Sequence, residues 1–246
     1  CRATVLGCAV GDAPLAEGFC WPVAYRARVL GATMRATRLA LTGPWGTIDA
    51  SVPLIGAYNV MNVLQATAAC HALGLSRDEL DRALSRACAP PGRLEPVDVP
   101  GTASAGNAHG GLPVVFVDYA HSDDAVANVL RAVSDAMGEQ RAQGRSRLWV
   151  VFGCGGDRDR TKRPRMGRAA AEGADHVVVT SDNPRTERPG AIVDEILSGI
   201  APGLRAKVEV QVDRERAIAF AVREAGPEDV IVVAGKGHET EQILPD

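Results

Sequence analysis

From residue 114 to the end, the chain alternates between short apolar runs rich in β-branched residues and longer amphipathic stretches. The runs at 114–117, 148–152, 176–180, 208–212 and 230–233 have strand length, and their unbroken hydrophobicity suits strands covered on both faces. Helices are expected between them at about 124–137, 164–172, 191–200 and 214–225. The alternation predicts an α/β fold with a mostly parallel sheet flanked by helices. Ligands in such sheets sit beyond the carboxyl ends of the strands, so those ends are where the chemistry is sought.

Upstream, the first 55 residues show β-type runs at 23–30, 37–41 and 47–52, broken by Gly and Pro and without a clear helix. Asn59 stands as an N-cap before 60–73, a stretch apolar on almost every face, which predicts a buried helix ended by Gly74. Ser76 followed by Glu79 is a capping-box pattern that opens a second helix to about Cys88. Ala89-Pro90-Pro91-Gly92 then divides the chain into domains at 1–91 and 92–246. A short strand at 94–97 and a Gly/Ala/Ser loop at 100–111 lead into the alternation.

Composition adds exclusions. Hydrophobic residues are 46% of 246, enough for packed cores and too many for a disordered chain. A net charge of −3 leaves no nucleic-acid footprint. No apolar run reaches the roughly 18 residues of a membrane span. The cysteines (Cys1, Cys8, Cys20, Cys70, Cys88, Cys154) are scattered without a Cys-x-x-Cys pair. They read as free thiols in a reducing compartment, and no metal site is assigned. The start lacks both a methionine and a signal-peptide layout, which suits a cytoplasmic protein whose true beginning is absent. Lys162, Lys207 and Lys236 are the only lysines among 27 basic residues, so a lysine inside a motif draws attention.

Every unusual run of residues follows a strand. Asp118-Tyr119-Ala120-His121 offers an acceptor for ribose hydroxyls and rings for a base, or else a helix-capping turn. The segment from Gly153 to Arg160 combines three glycines, whose amides approach an anion, with arginines that fork onto carboxylate or phosphate. In Asp182-Asn183-Pro184-Arg185, Pro184 stiffens the turn and presents an amide and a bidentate cation in fixed relation. Ala234-Gly235-Lys236-Gly237-His238-Glu239 exposes amides and a carboxylate for an ammonium; a single His beside Glu239 is no metal motif. No phosphate-binding Gly-x-x-x-x-Gly-Lys-Ser/Thr occurs. Together the runs describe a site for an amino acid with a charged far end.

These motifs, with Asn59-Val60-Met61-Asn62 and Gly92-Arg93-Leu94-Glu95 before them, occur in an order that closely resembles the Mur ligases. The likeness is to those members that add the third residue of the peptidoglycan stem peptide, and it runs from about Gly46 to the end. It implies that 92–246 form the Rossmann-like C-terminal amino-acid-binding domain, and that 1–91 are the C-terminal part of an α/β central ATPase domain. The implied reaction is ATP-dependent amide ligation, joining meso-diaminopimelate to UDP-MurNAc-L-Ala-D-Glu through an acyl phosphate. By motif, Arg158, Asp182, Asn183, Arg185, Gly235 and Glu239 would bind meso-diaminopimelate. Asn59, Arg93, Asp118, Tyr119 and His121 would approach ATP. Mg2+ ligands, the phosphate loop and a modified lysine are expected upstream, so this piece is not expected to be active alone; a monomer is implied. Ser122-Asp123 stands where the family usually continues with Thr-Pro.

Two other readings stay open on the residues: a folylpolyglutamate synthase-like ligase, and a non-catalytic module that keeps only the amino-acid pocket. Arg185 and the 235–239 loop argue against the first, because a glutamate acceptor needs no site for a second amino-acid end.

Overall fold

The computed structural model describes residues 5–11, 23–97 and 111–244. Cys1, Cys20 and all but the last residue of the expected loop at 100–111 lie outside the described residues. The chain divides into two compact units, Cys1–Ala89 and Pro90–Asp246.

The first unit is a four-stranded sheet, β1 (Gly7–Val10), β2 (Val23–Ala32), β3 (Thr37–Gly43) and β4 (Gly46–Val52), in that spatial order. β1 runs parallel to β2, while β2, β3 and β4 form an antiparallel meander. Alternation along the strands turns Tyr25, Ala27, Leu39, Leu41, Ile48 and Val52 to one face. Helix α1 (Ala57–Ala72) covers that face with Val60, Val63, Leu64 and Ala68, and α2 (Arg77–Leu84) adds Leu80 and Leu84.

Three expectations need correction here. α1 begins two residues before Asn59, behind Gly56, so Asn59 is not its N-cap; its Nδ2 instead donates to Ile55 O at 2.9 Å. The helix is buried along one face only, and Leu73 at its end is 82% exposed. Small residues such as Ala66, Ala69 and Ala72 made the exposed side look apolar without giving it a partner surface. α2 ends at Leu84, not Cys88. The Ser76–Glu79 pairing does form, with Glu79 Oε2 accepting from Ser76 N at 2.8 Å and from Ser76 Oγ at 2.6 Å.

The second unit holds the parallel sheet. Its strands are β5 (Glu95–Pro96), β6 (Val114–Asp118), β7 (Leu148–Phe152), β8 (His176–Val179), β9 (Val208–Val210) and β10 (Val230–Ala234), in the spatial order β5-β6-β10-β7-β8-β9. All neighbours are parallel except the β5–β6 pair. The intervening helices are α3 (Asp123–Met137), α4 (Glu139–Ala142), α5 (Lys162–Gly173), α6 (Pro189–Ser198) and α7 (Arg214–Glu224). A 3₁₀ turn, Pro202–Lys207, precedes β9.

Every side chain of β7 and β10 is buried, as their unbroken apolar runs require. α3, α5 and α6 pack side by side, and α7 packs through Ala217 and Ala221 against Trp149, Val151, Val178, Ile231 and Val233. The last strand in sequence therefore lies between the first two long ones. That places the loops after β6, β7, β8 and β10 along one edge of one sheet.

Candidate functional site

Three of those loops are braced into one rigid body. The loop after β7 passes so close to the loop after β8 that a Cβ on Gly156 would collide with Pro184 O, and Gly156 N donates to Asn183 O at 2.9 Å. Asp157, at φ +52, accepts from Thr186 N at 3.2 Å and from Thr186 Oγ1 at 2.8 Å. Beneath them lies Arg163, fully buried, which donates to Glu187 at 2.7 and 2.9 Å, to Glu195 at 2.9 Å and to Gly155 O at 3.1 Å. Glu187 in turn accepts from Asp157 N at 2.7 Å. Arg163 holds the Glu187 carboxyl well below its ordinary range, at about 2. Arg214 performs a similar service between β8 and β10, donating to Ser181 O at 3.4 Å and Ala234 O at 3.0 Å. Burial lowers its pKa, against the opposing pull of Asp182 and Glu239.

The side chains that the motifs singled out sit on this body. Arg185, itself at φ +54, uses only Nη1 for bracing, to Gly156 O at 2.8 Å and Asn183 O at 3.3 Å. Its Nε and Nη2 have no protein partner among the described residues. Arg158 is exposed, and its stem and the Arg185 guanidinium flank Gly155. Strained left-handed backbone at Asp157 and Arg185 persists because the surrounding hydrogen bonds over-determine it, a pattern typical of functional loops.

Asn183 is buried, and its Nδ2 donates to Glu239 Oε2 at 3.2 Å. Its Oδ1 accepts from Lys236 Nζ at 2.7 Å and Ile243 N at 2.9 Å. Glu239 is exposed and faces Lys236 at 3.4 Å. Asp182 is buried, and its carboxylate pairs with Lys236 at 3.8 Å. Gly235, at φ +112, donates its amide to Asp118 O at 3.0 Å. Cys154, between two of the glycines, is buried and its thiol is pushed up to about 12 by desolvation, which makes it inert as a nucleophile.

Along the same edge, Tyr119 gathers a second group. Arg93 lies over its ring at 5.0 Å, His238 stacks on it at 5.7 Å, and His121 meets it edge-on at 4.8 Å. Lys162 Nζ donates to His121 O at 2.8 Å. Gly92 allows the loop after β10 to approach, since a Cβ there would strike the backbone of Gly237 and His238. Asp118, expected as a free acceptor, is instead buried: Oδ2 accepts from Leu94 N at 2.8 Å and Oδ1 from Ala120 N at 2.7 Å. Burial raises its pKa, partly offset by those two amides and Arg93. It clamps the loop that carries Tyr119. Ser122 Oγ caps α3 by accepting from Ala125 N at 3.3 Å, and Asp123 pairs with Arg165 at 3.4 Å. Asn59 belongs to the first unit.

Sequence reasoning named no role for Arg163, Glu187, Arg214 or His238. Arg163 and Glu187 lie just beyond the 153–160 and 182–185 runs, His238 lies inside the 234–239 run, and Arg214 is a cation at a helix start, where the helix dipole disfavours it.

Comparison with known proteins supports one family. Residues 104–237, more than half of the chain, match the model described as "Mur ligase, glutamate ligase domain". The chain is 48% identical over 209 residues to the UDP-N-acetylmuramoyl-L-alanyl-D-glutamate--2,6-diaminopimelate ligase of Alkalilimnicola ehrlichii, covering 85% of this chain and 38% of that protein. The enzyme of the same name from Gloeobacter violaceus is 47% identical over 212 residues, 86% of this chain and 40% of the relative. The chain thus spans about two-fifths of the length of these relatives. A solved structure of a ligase with that name superposes with a TM-score of 0.60 at 32% identity, over 93% of this chain and 42% of the other. A folylpolyglutamate synthase from Thermotoga maritima shares the fold, with a TM-score of 0.62 at 21% identity over 86% and 44%. From its strand-end motifs to its sheet order and these matches, the chain belongs to the Mur ligase family.

Proposed function

We propose that this chain is the amino-acid-binding part of an ATP-dependent ligase that adds meso-diaminopimelate to UDP-MurNAc-L-Ala-D-Glu. The observation that carries the reading is Arg185, held by one guanidinium nitrogen and, among the described residues, unpartnered at two, beside exposed Arg158 and the Asn183–Glu239 pair. A carboxylate meets forked donors there and an ammonium meets Glu239, so one amino-acid end is read by charge. Lysine has an ammonium but no carboxylate at its far end, and would leave Arg185 desolvated and unpaired. Glutamate offers no second ammonium, which disfavours the folylpolyglutamate-type reading.

The Tyr119 platform, with Arg93, His121, His238 and Lys162 around it, has the composition that stacks a base and meets phosphate. ATP would supply the phosphoryl group that activates the γ-carboxylate of the D-glutamate residue. Attack by the amine of diaminopimelate then forms the C–N bond as phosphate leaves, and this chain contributes by holding that amine's owner in place. No group of three or more His, Cys, Asp or Glu among the described residues is arranged to hold a metal. Cys8, Cys70, Cys88 and Cys154 are free, which fits a cytoplasmic setting. Among the described residues no helix is long and apolar enough to cross a membrane.

Calorimetry on this chain tests the reading. Binding of meso-diaminopimelate with at least tenfold preference over lysine is expected, from about 1.5–3 kcal/mol for a hydrogen bond to a charged group. Equal affinities would refute it.

A further inference from the structure

We propose that Lys236 is a positioning residue whose task is to turn the Asn183 amide donor-outward, toward the amino-acid site. The inference rests on the amino-acid reading above.

Lys236 is buried, which is costly for an ammonium unless it is well partnered. Its Nζ lies 2.7 Å from Asn183 Oδ1, 2.7 Å from Glu241 O, 3.4 Å from Glu239 Oε2 and 3.8 Å from Asp182 Oδ1. An ammonium only donates, and so does the Ile243 N–H that reaches the same Asn183 atom at 2.9 Å. Two donors fill both lone pairs of that oxygen, which fixes the amide's orientation. Nδ2 must then face the other way, where one of its hydrogens goes to Glu239 Oε2 at 3.2 Å. The other hydrogen has no partner among the described residues and would serve a ligand carboxylate. An asparagine amide is nearly symmetric in shape, and without Lys236 only the Ile243 N–H and the Glu239 carboxylate would oppose a half-turn. That turn would place a carbonyl oxygen against the incoming carboxylate.

The test is calorimetry of the 246-residue chain with meso-diaminopimelate, using Lys236→Met, Lys236→Arg, Asn183→Ala and the Lys236→Met/Asn183→Ala double variant. Lys236→Met should weaken binding roughly tenfold, the effect of one charge-assisted hydrogen bond, and Lys236→Arg should restore most of it. The double variant should bind no more weakly than Asn183→Ala alone, because Lys236 acts through Asn183. Lys236→Met binding within twofold of the unmutated chain, or losses that multiply in the double variant, would overturn the proposal. Absence of binding by the unmutated chain would instead overturn the amino-acid reading, and this inference with it. If Lys236→Met does not fold, hydrogen exchange of the Asn183 side-chain amide in the unmutated chain decides. Slow exchange supports the fixed orientation, and exchange as fast as in an exposed asparagine contradicts it.

Discussion

Replacing Arg185 with alanine is expected to remove most of the affinity for meso-diaminopimelate while sparing nucleotide binding. Among the described residues the guanidinium has two nitrogens without protein partners, so truncation deletes the forked donor that the distal carboxylate would use. The expected loss is about 1.5–3 kcal/mol, or roughly 10- to 150-fold in Kd. Part of that loss comes from the Nη1 contacts to Gly156 O and Asn183 O, which hold the two loops together. Arg185→Lys separates the contributions: it keeps a charge but not the planar fork, and should recover little. Equal weakening of meso-diaminopimelate and ATP by Arg185→Ala would show that the residue supports the edge in general and selects nothing.

The largest stability effect is expected at Arg163. Its side chain is fully buried and pairs with Glu187 and Glu195, so Arg163→Met strips Glu187 of its paired cation and leaves Glu195 with exposed Arg160 alone. Breaking such a pair costs about 3 kcal/mol, the lower end of the usual range, because both carboxylates keep some solvent. For a chain of this size that corresponds to a melting temperature lowered by about 6–12 °C. The pH dependence provides an independent check. Glu187 titrates at about 2 in the folded unit, below its ordinary value of 4.5. Its stabilising contribution is therefore complete above pH 4.5 and is lost as the pH falls from there toward 2. Arg163→Met should remove this part of the acid limb as well as lowering stability at neutral pH. An unchanged acid limb in the variant would mean that Glu187 is held by something other than Arg163.

The parallel sheet was legible because β7 and β10 are buried on both faces, and that requirement writes continuous apolar runs into the chain. β1 was not legible: four residues with one half-buried face carry too little pattern to stand out from the surrounding loops. At the sheet edge, residue types pointed to strand ends that the fold brings side by side, since glycines, Asn-Pro and clustered arginines are unusual together. What they could not reveal was which side chains face inward. Asp118 and Asp182 resemble ligand-binding carboxylates in sequence, yet the first is taken up by the amides of Leu94 and Ala120 and the second lies against Lys236. A carboxylate's partner is set by long-range packing, and Lys236 and Asp182 are distant in the chain. The same holds for Arg163, whose role depends on glutamates 24 and 32 residues away.

The most direct test of the central claim is nuclear magnetic resonance mapping on isotope-labelled protein titrated with meso-diaminopimelate and, in parallel, with lysine. The account predicts that meso-diaminopimelate shifts the side-chain signals of Arg158, Arg185 and Asn183 and the backbone amides of Gly155 and Gly235, and that lysine leaves the arginine signals in place. Shifts that cluster away from the carboxyl ends of β7, β8 and β10, or arginine signals that respond equally to both amino acids, would contradict it.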